Sequence, residues 1–155
     1  MTYQEIYDAA LRMICESTNS EENADYEERA PYILATFCNE CAPIEVAYCK
    51  AHKILPPNIA PLVRIAMIDT FPLNARFSAA VVYYLCAMLV IDENEALSDK
   101  FFSLYTDAVS LVQASIEKAE QSSSAQSGSN SGTDTPSESP TQCTLEKIVN
   151  RYPFF

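Results

Sequence analysis

Over the first 120 residues, apolar side chains recur at helical rather than alternating spacing. Ile6, Ala10, Met13 and Ile14 fall toward one side of a helix predicted from about Tyr3 to Glu16. Thr2 and Glu5 form a capping box at its start, where hydroxyl and carboxylate each satisfy an amide that lacks an intrahelical partner. Ser17 to Asp25 is polar and acidic, which predicts a loop. Asp25 is then expected to cap a second helix carrying Ile33, Leu34, Phe37, Cys38 and Cys41. Pro31 has no amide hydrogen, so it must lie near the start of that helix or kink it. Pro43 is expected to interrupt the helix and begin another through Val46, Ala47, Cys49 and Lys50.

Between Lys53 and Asn74, Pro56, Pro57, Pro61 and Pro72 forbid long helices, and the apolar run Leu62 to Ile68 fits an extended segment or a short helix. Asn74 is placed to cap the most hydrophobic stretch, Phe77 to Ile91, whose one clearly polar residue is Ser78. Such a helix spans about 22 Å, short of a hydrocarbon core of about 30 Å, and Arg76 and Asp92 flank it; burial on most sides within a protein is the expectation. Asp92 to Glu95 turns the chain and sets carboxylates at the start of the last long helix, where the dipole favours them. There Leu97, Phe101, Leu104, Ala108 and Leu111 form one stripe, and Phe102, Tyr105, Val109, Val112 and Ile116 a second beside it. So wide a face meets either two helices of its own bundle, or one helix there and one in another subunit.

The pattern predicts an all-α fold: a small bundle of four to five helices over residues 1–120, a disordered Ser-rich tether over 121–142, and an apolar docking arm over 143–155. Gln121 to Gln142 has eight serines, two prolines, both glycines of the chain and no large apolar side chain, too little to offset the entropy of ordering. Beyond it Leu145, Ile148, Val149 and Tyr152 share a helical face, and Phe154 and Phe155 follow. Fixing a dozen backbones costs about 12–24 kcal/mol, while burying these six side chains returns about 9–18 kcal/mol. The arm therefore needs a ready-made groove, on its own domain or on another subunit.

Composition narrows the chemistry. With no glycine before Gly128, phosphate-cradling loops, dinucleotide turns and nucleophile elbows are excluded, and proline and Asn/Asp turns are expected to join the helices. A net charge of -11 opposes attraction to nucleic acid phosphates and anionic lipid. Met1 to Glu5 lacks the basic start of a secretory leader, so the six cysteines are read as reduced thiols in a cytoplasmic setting. Cys38, Cys41, Cys49 and His52 stand at a spacing that zinc accepts; the other reading is a stripe of small buried side chains. On one continuous helix Cys38 and His52 lie about 21 Å apart, so shared coordination needs a reversal at Pro43. His52 is the sole histidine and its setting carries no nucleophile motif, and the acidic runs lack calcium-loop spacing. Neither an enzyme nor a cofactor is expected.

Asp69-Thr70-Phe71-Pro72-Leu73, the Phe77–Ile91 run with Tyr83-Tyr84-Leu85, Asp92-Glu93-Asn94-Glu95 and Phe101 to Ala108 together resemble the head-to-tail connector (adaptor) proteins of tailed phages and prophages. The resemblance covers roughly residues 1–120 and lies in the order of elements. It implies a homo-oligomeric ring, commonly twelve-fold, between the portal and the tail or stopper proteins, in the virion and in the host cytoplasm during assembly. DNA would pass through without specific binding, no membrane would be involved, and terminal segments would grip neighbours. The alternative from the residues alone is a cytoplasmic helical binding or regulatory module, zinc-stabilised in one form.

Overall fold

The computed structural model describes residues 1–15 and 23–126. Among them the chain forms four α-helices, α1 (Tyr3–Met13), α2 (Ala24–Ala51), α3 (Ser78–Val90) and α4 (Glu95–Gln126), with a 3-10 turn, Ala75–Phe77, leading into α3. The all-α class is as expected.

Thr2 caps α1: its hydroxyl accepts from the Glu5 amide at 3.2 Å, and the Glu5 carboxylate accepts from the Thr2 amide at 2.8 Å. The helix stops at Met13 rather than near Glu16, because Cys15 adopts the left-handed conformation, φ 64°. Tyr3, Ile6, Tyr7, Ala10 and Leu11 make its buried face. Met13, expected in the core, is exposed: two positions after Leu11, it falls on the far side of the helix.

The second helix departs from expectation twice. It begins at Ala24 behind Asn23 rather than behind Asp25, and it runs unbroken to Ala51 with Pro31 and Pro43 inside. Leu34, Phe37, Cys38, Cys41, Glu45 and Cys49 form one buried stripe that passes Pro43, while Pro43 itself faces solvent. Packing on both sides of the proline outweighs the one hydrogen bond it cannot donate. The helix ends in a Schellman turn, with the Ile54 amide donating to the Cys49 carbonyl at 2.8 Å and Lys53 left-handed at φ 57°.

From Lys53 to Asn74 the chain is neither strand nor helix, yet it is a core element. Ile65, Phe71 and Leu73 are buried, and Phe71 lies between Tyr3 and Phe37, with ring centroids at 5.9 and 6.2 Å. The loop also satisfies the start of α1: the Tyr3 amide donates to Asp69 at 3.1 Å and the Gln4 amide to Met67 at 2.8 Å. On α2, the Asn39 side chain holds the Leu62 backbone at both its carbonyl and its amide, at 2.6 and 2.9 Å.

Asn74 caps the 3-10 turn, its side chain accepting from the Arg76 amide. As its composition predicts, α3 is buried on most sides, packed against α1, α2 and α4. Arg29 near the start of α2 reaches the Met88 carbonyl near the end of α3, while Glu45 far along α2 pairs with Arg76 before α3, so the two helices are antiparallel. Asn94 then caps α4 through the Leu97 amide at 3.1 Å, and Ser98 ties α4 to the Ala87 carbonyl of α3 at 2.9 Å. α4 continues past residue 120 to Gln126, so helix enters the first residues of the Ser-rich stretch. The rest of that stretch and the whole of 143–155 lie outside the described residues, as does part of the loop predicted after α1. Among the described residues, no helix is long and apolar enough to cross a membrane.

Candidate interaction surface

The two stripes of α4 do not share one fate. Phe101, Val109 and Val112 are buried, and Leu97, Tyr105, Ala108 and Ile116 are partly covered. Phe102, Leu104 and Leu111 are exposed, Leu111 at 74%. On the irregular segment, Leu55, Val63 and Ile68 are exposed at 90%, 84% and 84%. Leu145, Ile148, Val149, Tyr152, Phe154 and Phe155, read as a docking face, fall outside the described residues.

The proposed zinc ligands are not brought together. Cys38, Cys41 and Cys49 lie along one continuous helix with His52 at its C-cap, so the reversal that zinc would require at Pro43 is absent and a rise of about 21 Å separates the outer pair. The thiols serve packing instead. Cys38 Sγ lies 3.3 Å from the Tyr3 hydroxyl, Cys41 meets the Tyr105 hydroxyl, and Cys86 donates to the Ala10 carbonyl at 3.6 Å. Burial pushes the Cys41 and Cys86 thiols up to about 12 and also raises Cys38, so all three stay protonated and unreactive at neutral pH. Tyr7 has a buried hydroxyl with no hydrogen-bond partner among the described residues; burial, then the nearby Glu27 and Asp8 carboxylates, push it to about 12.

His52 follows α2 and stacks on Tyr48, with centroids at 3.9 Å and planes within 11°. The Arg76 guanidinium covers the Tyr48 ring at 3.3 Å and pairs with Glu45 at 3.2 Å. Glu45 is only 3% exposed and also accepts from Cys49 at 3.5 Å. This chain of contacts fastens the end of α2 to the start of α3. Sequence reasoning missed Glu45, although its place one turn from both Cys41 and Cys49 marks it as facing inward.

At the opposite end of the bundle, α2 and α3 border an open groove of about 390 Å³, lined by Asp25, Glu28, Arg29, Tyr32, Ile33 and Met88. Arg29 is fully engaged, with Asp25 at 3.2 Å, Asp92 at 3.3 Å and the Met88 carbonyl at 3.1 Å. Beside it Tyr26 donates to Glu93 at 2.6 Å. The lining thus combines Tyr32, Ile33 and Met88 with two carboxylates and one cation. No signal in the sequence joined these residues, because the groove exists only where two antiparallel helices meet. No protein family, curated protein or solved structure was found to match this chain.

Proposed function

We propose that this chain is a virion structural protein that forms a ring at the phage head–tail junction, between portal and tail, with its C-terminal arm gripping a neighbouring subunit or partner. The observation that carries the reading is the division of α4: Phe101, Val109 and Val112 face the bundle while Phe102, Leu104 and Leu111 face outward. The outward three border the buried stripe on its two edges, Leu104 and Leu111 on one and Phe102 on the other, and exposed apolar side chains so placed suit a second protein surface. The buried thiols and tyrosines are engaged in packing, which supports assembly rather than turnover. The class and the twelve-fold expectation come from the resemblance to connector proteins, and a net charge of -11 suits a passage that must not hold DNA phosphates.

The test is mass measurement and electron microscopy of the full chain, alone and with the portal protein of the same genome. Ring-sized particles or a stable portal complex are expected, with assembly reduced by Leu111→Lys. A chain that stays monomeric in both settings overturns the proposal.

A further inference from the structure

We propose that residues 143–155 of one copy dock into the groove between Asp25, Glu28, Arg29, Tyr32, Ile33 and Met88 of a second copy. The inference rests on the assembly reading above and adds the site at which neighbours are gripped. Two observations carry it, one of charge and one of length.

The groove offers Tyr32, Ile33 and Met88, with the carboxylates of Asp25 and Glu28 on the same lining. Its one lining cation, Arg29, is taken up by Asp25, Asp92 and a carbonyl, whereas Glu28 has no ion-pair partner among the described residues. In a chain of net charge -11, residues 143–155 are unusual in carrying Lys147 and Arg151 against Glu146 alone. The two cations stand four residues apart in the same short segment as Leu145, Ile148, Val149 and Tyr152. A segment that carries both cations and apolar side chains complements a lining of Tyr32, Ile33 and Met88 with the carboxylate of Glu28.

Length decides whose groove is filled. α4 starts beside the groove, next to the Asp92 that pairs with Arg29, and runs away from it for 32 residues, to a far end about 48 Å distant. Sixteen residues, 127–142, separate that end from the segment, and a random coil of that length would typically span about 20–24 Å. Returning along α4 to its own groove would stretch that connection to roughly twice its preferred span, where effective concentration falls steeply. A second copy whose groove lies near Gln126 faces no such penalty.

The experiment uses the full chain with a photo-crosslinking amino acid in place of Tyr152, prepared as a mixture of isotopically light and heavy copies. Cross-links from that position to peptides containing residues 25–33 or Met88, in mixed light–heavy pairs, are expected. Glu28→Lys should reduce their yield about tenfold, and adding Lys147→Glu with Arg151→Glu should restore it. Cross-links confined to a single copy overturn the exchange between copies. Ring-sized particles whose cross-links map to the outer face of α4 or to the portal overturn the groove assignment while leaving the assembly reading intact. A chain that is monomeric with and without portal overturns the assembly reading itself.

Discussion

Removing the Arg76 guanidinium should cost far more than the loss of an ordinary surface ion pair. Its partner Glu45 is 3% exposed and receives a charge-assisted hydrogen bond of 3.2 Å; without Arg76 the carboxylate keeps only the weak Cys49 thiol at 3.5 Å. Exposed pairs contribute about 0–1 kcal/mol, whereas breaking a buried pair by deleting one member costs about 3–5 kcal/mol, chiefly as uncompensated desolvation. Loss of the guanidinium from the Tyr48 face adds about 0.5–1 kcal/mol. Arg76→Ala should therefore lower stability by about 3.5–6 kcal/mol, while Glu45→Met with Arg76→Met, which removes both charges, should be much closer to the parent. Urea unfolding followed by far-UV circular dichroism at pH 7, with the slope unchanged, measures both differences. If Arg76→Ala costs less than about 1 kcal/mol, or if the double variant is no more stable than Arg76→Ala, the pair is not a buried fastening and the reasoning fails.

Three further outcomes follow from the same packing. Phe71→Ala should cost about 3–5 kcal/mol in the same urea assay, since Phe71 fills the space between Tyr3 and Phe37; a loss under 1 kcal/mol would mean that the proline-rich segment is not part of the core. Lys53→Gly should stabilise by about 1 kcal/mol, read as a higher urea midpoint, because Lys53 holds φ 57° at the end of α2 where glycine meets no steric cost. Stability should be level up to about pH 8.5 and decline at higher pH. Cys41 and Cys86 ionise near pH 8.5–9 when unfolded but near 12 when folded, so the folded state binds more protons in that window, and each thiol removes at most about 1.4 kcal/mol per pH unit. Substituting Cys86 with Ala should make that decline shallower, and an unchanged slope would refute the linkage.

The elements that could be read in the sequence are those whose stability is local or strictly periodic. Thr2 with Glu5 announced the start of α1, Asn94 with the acids around it announced the turn into α4, and the apolar density of Phe77–Ile91 announced a helix enclosed by three others. The failures share one physical source, burial that crosses a local rule. Pro43 looks like a break until Cys38, Cys41, Glu45 and Cys49 are seen packed on both sides of it. Ile65, Phe71 and Leu73 follow no period, because a segment without regular structure can place each side chain separately into gaps left by the helices. The groove residues were likewise invisible, since Arg29 and Met88 meet only through a contact between α2 and α3.

The absence of glycine from the helical region predicts that proline and Asn/Asp turns join the helices, and the structure shows this in part. Asn94 and its acidic neighbours do turn the chain between α3 and α4. The ends of α1 and α2 instead need a left-handed residue, which falls to Cys15 and Lys53 at φ 64° and 57°. A left-handed residue with a Cβ costs about 1–2 kcal/mol, so each helix end must be held by contacts beyond the turn itself. For α2 those contacts are present: the Ile54 amide on the Cys49 carbonyl, and His52 stacked on the Tyr48 ring that Arg76 covers from Glu45. The strained turn and the buried ion pair therefore support each other, and Arg76→Ala should loosen Lys53 as well as Glu45, seen as faster amide exchange at Ile54 than at Leu97 in α4.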